Sequence, residues 1–155
     1  MTVQEFQARK IERMAQTVAH FVATTSADRL TWCPAVGDES CTRSVLGQVA
    51  ECIAVNRRFA ALLSGVEPPA EQPAAEDGAA AQEALIASGQ ALAAAVRTLP
   101  DDALAKTYAT PRGDLPGEVV IDLPYRNMAY HGGQINFIQL LLGDKEFHLP
   151  PQAFK

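Results

Sequence analysis

Within "NMAYHGGQINFIQLLLGD", Asn127, His131 and Gln134 recur at spacings of four and three residues. At 100° per residue these three side chains share one helical face with Ile138, Leu141 and Leu142. An imidazole and two carboxamides on an otherwise aliphatic face have a short list of uses. They can hydrogen-bond one another, hold water or a polar ligand, or contribute the imidazole to a metal site. Leaving such groups unpaired in a core costs about 1–3 kcal/mol each, so partners are required. An earlier helical stretch carries a matching anomaly, with Gln48 at the border of its apolar stripe and Asn56 near the centre. Inward polar groups on facing helices are how bundles build ligand and metal sites. The same residues equally suit a buried hydrogen-bond network that only fixes helix register. Gly132 and Gly133 weaken a helix by roughly 1 kcal/mol each relative to alanine, and they either admit a close neighbour or leave room beside a pocket.

Other chemistries have less support. The net charge is −5 over 155 residues, and basic residues are scattered, the densest spots being Arg9-Lys10 and Arg57-Arg58. A phosphate-backbone binder needs a concentrated basic face, so no nucleic-acid partner is expected. The three cysteines, Cys33, Cys41 and Cys52, lack C-x-x-C spacing and read as reduced thiols, with Cys52 buried. His20 falls opposite the apolar face of its helix and is expected exposed or half-exposed, and His148 falls in a proline-flanked tail and is expected in solvent. No apolar run is long enough to span a bilayer, and "MTVQEFQARKIERMAQ" has no apolar signal region, so no membrane partner and a cytoplasmic location are expected.

The elements that must position these residues follow from periodicity. Ile11, Met14, Ala15, Val18 and Val22 mark an amphipathic helix over 3–25. Pro34 and Gly37 make "LTWCPAVGDES" a connection, with Trp32 as an apolar lid. Ser40 or Thr42 then caps a helix over 42–64, with Val45, Val49, Cys52, Phe59 and Leu63 inward and Gly65 as its stop. Residues 66–78 are a proline-rich acidic linker. A third helix over 79–99 buries Leu85, Leu92, Val96 and Leu99, and a fourth runs from Pro124 to Leu142. Between them, "EVVID" reads as a short strand, an extended edge or a turn of the last helix. Four helices with long connections, in one domain over 1–155, predict an all-α four-helix bundle.

The second helix, "RSVLGQVAECIAVNRRFAALLSG", followed much later by "HGGQINFIQLLLG", resembles the DinB-like superfamily of four-helix bundles over nearly the whole chain. The resemblance implies a divalent-metal site, zinc or nickel, held by three histidines. One comes from the second helix and two from an H-x-x-x-H pair on the fourth. In this chain His131 matches the second member of that pair, Asn127 the first, and Gln48 the second-helix position, with Glu51 as the register alternative. Two of the three ligands are thus carboxamides, which bind zinc and nickel poorly. The expected protein is therefore a DinB-like bundle with a degenerate metal pocket of Gln48, Asn127, His131 and Gln134. Its role would be to bind a small molecule or a partner with little or no metal. The alternative is a metal-dependent thiol transferase or hydrolase of the DinB-like type, and the resemblance is also compatible with a homodimer.

Overall fold

The computed structural model describes residues 1–34, 43–70, 73, 75–111 and 113–151. Four helices carry the fold: α1 (Val3–Ala23), α2 (Val45–Ser64), α3 (Gly78–Arg97) and α4 (Gly117–Leu141). A small antiparallel hairpin, β1 (Thr107–Thr110) and β2 (Gly113–Pro116), joins α3 to α4, with Thr107 opposite Pro116 and Thr110 opposite Gly113. The protein is thus mostly helical, with a two-stranded addition that periodicity did not reveal.

Side-chain caps set three of the helix starts, each satisfying an amide that has no intrahelical partner. Thr2 Oγ1 accepts from the Glu5 amide, Ser44 Oγ from Gly47, and Asp77 Oδ1 from Ala80. Ser44 is therefore the cap of α2, in place of the expected Ser40 or Thr42, which with Cys41 lie outside the described residues. The expected stop at Gly65 holds, in the left-handed region at φ 67°.

The largest departure is the start of α4. Pro124 reads as a helix boundary, yet it lies buried inside a helix that begins at Gly117, so "EVVID" is helical and the strands precede it. Proline in a helix interior removes one backbone hydrogen bond and costs roughly 3 kcal/mol. The turn before it buries Val120 and Ile121. Burying two such side chains contributes about 1.5–3 kcal/mol each, enough to offset the break.

α1 and α2 each pack along both α3 and α4 and barely touch one another, so the order around the bundle is α1, α3, α2, α4. Directions follow from cross-helix pairs. Gln4 at the start of α1 reaches the Leu99 and Pro100 carbonyls beyond the end of α3, so α1 and α3 are antiparallel. Gln7 bonds the Ile121 carbonyl while Gln139 bonds that of Phe21, so α1 and α4 run parallel. On α2, Gln48 meets His131 and Asn56 meets Met128, an antiparallel pairing with α4. α2 and α3 must then run parallel, so the chain has to return along the bundle between Ser64 and Gly78.

Ile11, Val18, Val49, Leu85, Leu92, Met128 and Ile135 are fully buried at its centre. A Cβ at Gly89 would lie 2.6 Å from the Ala15 Cβ, so only glycine lets α1 and α3 approach this closely. Arg97 on α3 bridges Glu5 and Glu12 on α1 at 2.8 and 2.7 Å, fixing the register of that pair at the surface. Trp32 is half-buried and packs on the core, as expected of a lid. Among the described residues, no helix is long and apolar enough to cross a membrane.

Candidate functional site

α4 presents His131 toward α2, where Gln48 points back at it. His131 is buried, and its Nδ1 lies 2.5 Å from Gln48 Oε1 and 2.8 Å from Gln134 Oε1. The chemistry of the amides sets the proton positions. Gln48 Nε2 donates to the Arg43 carbonyl at 3.4 Å, which turns its oxygen toward the ring. An imidazole nitrogen facing two carbonyl oxygens must carry the hydrogen. His131 therefore donates from Nδ1, shared between two acceptors, and keeps a lone pair on Nε2. The Tyr130 ring meets the imidazole edge-on at a centroid distance of 5.4 Å.

Burial holds the His131 pKa below the ordinary imidazole value. The Gln134 hydrogen bond and the negative charge of Glu51 act in the opposite direction, and Arg43 adds to the depression. Glu51 itself pairs with Arg43 at 3.5 Å. The result is a neutral ring at pH 7, with one nitrogen fixed as donor and the other available as acceptor.

Of the residues that the sequence assembled, Gln48, His131 and Gln134 come together. Asn127 lies one turn before His131 on α4 but makes no hydrogen bond to them, and its Oδ1 is buried without a partner. Asn56 belongs to a different cluster. Fully buried, it donates from Nδ2 to Ser88 Oγ at 3.1 Å and toward Met128 Sδ at 3.4 Å, tying α2, α3 and α4 together. The core face of α4 also differs from the expected one. It centres on Ile121, Met128 and Ile135, about 100° around the helix from Asn127. Asn127 and Gln134 therefore stand at its edge and are half-buried, while Leu141 is exposed.

Gln139 was missed. It lies on the true face, buried, with Nε2 within 3.0–3.1 Å of the Phe21 carbonyl, Thr24 Oγ1 and Thr25 Oγ1. There it satisfies the end of α1, a structural duty. Its signal was its position four residues after Ile135, inside an aliphatic run. The adjacent glycines divide the two roles anticipated for them. A Cβ at Gly132 would press on Val18 and Phe21 at 3.2 and 3.4 Å, while Gly133 faces open space. His148 is not free in solvent, since it is half-buried and bonds Asp144 at 2.7 Å.

The donor set does not suit a divalent ion. One imidazole offers a single lone pair, on Nε2, and the two carboxamides beside it are themselves poor ligands for zinc or nickel. Among the described residues, no three histidine, cysteine or acidic side chains are grouped for coordination. A surface cavity of about 470 Å³ opens beside this site, bounded by Arg43, Gly47 and Glu51 of the α2 end and by Ala80 and Ala84 of α3. Asn127, His131 and Gln134 do not line it. No protein-family model and no curated protein matches this sequence.

Proposed function

We propose that this chain is a cytoplasmic DinB-like bundle whose metal position is filled by hydrogen bonds. It would serve as a metal-free binder of a small polar molecule. The observation that carries this reading is the hold of Gln48 and Gln134 on His131 Nδ1. The meeting of Gln48 with His131 supports the register implied by the family resemblance, which sets these two positions across one site. Their contact commits both carboxamide oxygens to His131, so Nε2 alone is left to offer an ion a lone pair.

Two acceptors remain. His131 Nε2 keeps its lone pair, and Asn127 Oδ1, one helical turn away, is buried without a partner. Residues four apart on a helix are neighbours, so a ligand at this edge is recognised by the hydrogen-bond donors it offers. Free thiols at Cys33 and Cys52 suit the reducing compartment assigned to it.

Metal content tests the proposal. Purified, dialysed protein is expected to carry no stoichiometric zinc, nickel or iron, and a stoichiometric metal would overturn the reading. The double variant Gln48→His and Asn127→His, with His131 kept, is expected to gain a tight divalent site of three imidazoles. With zinc about a hundredfold above Kd its stability should rise by roughly 2.7 kcal/mol, against a much smaller rise for the parent chain. No zinc binding by the double variant would overturn the register.

A further inference from the structure

The outer face of α2 is built unlike a solvent face. Gly47, Ala50 and Ala54 lie roughly opposite the core residues Val49, Cys52 and Asn56, where long polar side chains ordinarily stand. The returning chain does not close on them. Pro68, Pro69 and Pro73 bound one side, Ala80 and Ala84 of α3 bound another, and a cavity of about 470 Å³ is left between. Its size falls within the range of small-molecule sites, roughly 300–1,000 Å³.

Charge and wall chemistry name the occupant. In a chain of net charge −5, the described residues of the lining carry three arginines, Arg43, Arg57 and Arg58, against one acid, Glu51. Glu51 pairs with Arg43 at 3.5 Å near the Gly47 end, while the end at Arg57 and Arg58 adds no acid to the described lining. These four are the only polar side chains among the described lining residues. No amide or hydroxyl side chain is there to read a sugar or a base edge, and no aromatic ring is there to stack on one. The three prolines offer no N–H either. What remains is an aliphatic trough that runs about 15 Å along α2 from Gly47 to Arg57.

We propose that this cavity holds a linear aliphatic carboxylate, its chain along Gly47, Ala50 and Ala54 and its head on Arg57 and Arg58. An arginine fork matches a carboxylate with two parallel hydrogen bonds, and half-buried Arg57 makes that contact partly out of water. Glu51 sets the direction, since it opposes a second carboxylate at the Gly47 end. Burying the chain against alanine and proline removes apolar surface of both partners from water. Gln48, Asn127, His131 and Gln134 do not line the cavity, so this is a second site beside the first.

Calorimetric titration of the full chain with hexanoate, octanoate and decanoate reads the outcome. Affinity is expected to rise with chain length, by up to about fourfold for each CH₂ that is fully buried. Octan-1-ol, which keeps the chain and lacks the charge, should bind roughly tenfold or more weakly than octanoate. Arg57→Gln with Arg58→Gln should weaken octanoate by a similar factor, with unchanged helical circular dichroism. Ala54→Phe fills the trough, keeps both arginines and should abolish binding; Ala84→Phe serves the same purpose from α3 should Ala54→Phe lose helicity. No binding by any acid of the series would overturn the proposal. Affinity independent of chain length, or inorganic phosphate bound as tightly as octanoate, would overturn the aliphatic trough. Octanoate binding indifferent to the arginine and phenylalanine variants would place the acid elsewhere on the protein and overturn the site. Octanoate affinity reads this cavity and metal content reads the His131 site, so each fails separately.

Discussion

At His131, one ring nitrogen is committed to two glutamine oxygens and the other keeps its lone pair. The burial that keeps the ring neutral also couples it to folding. Its folded pKa lies below the ordinary 6.5, so as pH falls the unfolded chain takes up the proton first. The stability this residue contributes is complete above 6.5 and is lost as pH falls from there through the folded value. Thermal melts at pH about 7.5 and about 5.5 are expected to show a clear drop in Tm for the parent and a smaller one for His131→Gln. Equal drops would assign the dependence to another group. The meeting of Gln48 with His131 was legible in so far as both are polar side chains on or beside apolar stripes. The fate of Asn127 was not, since it lies about 100° from the true face centre. Gln139 was hidden by the same error, as it lies on the correct centre line.

Among the helices, the α1–α3 pair depends most on one small residue. Gly89→Ala would gain up to about 1 kcal/mol of helix propensity, but its Cβ, 2.6 Å from that of Ala15, must push the helices apart. Overpacking of this kind costs about 1–3 kcal/mol, so the variant is expected to be less stable, with a lower urea midpoint. A raised midpoint would show that the pair can open without loss. Three helices were readable within a few residues because apolar period and capping residues agree there. α4 was cut short because a proline marks a boundary locally, and only the burial of Val120 and Ile121 in the tertiary structure shows that the helix continues through it. The hairpin escaped notice because its strands are four residues each and mostly exposed, with no apolar alternation to detect.

For the molecule as a whole, the connection 65–77 determines whether the bundle can close. α2 is 20 residues long, about 30 Å at helical rise, and the chain must return along it before α3 begins in the same direction. Deleting residues 67–74 leaves five, which reach no more than roughly 18 Å even fully extended. The shortened chain is expected to lose cooperative urea unfolding, while a glycine-serine segment of the original length should retain it. Cooperative unfolding of the shortened chain would contradict the parallel arrangement. A bundle of four helices could be read from the sequence, because each apolar stripe says which way is inward. Which helix neighbours which could not, because a stripe does not name its partner. That neighbour order has a consequence for how the chain comes to be folded. α2 and α3 are the one pair of helices consecutive in the chain that also lie side by side, and α1 rests on elements that begin more than fifty residues after it ends. Closing such distant contacts delays their reward, so folding should be slower than in an up-and-down bundle of equal size. During synthesis α1 leaves the ribosome before α2 and α3 with its apolar stripe uncovered, and the first helix to shelter it is α3.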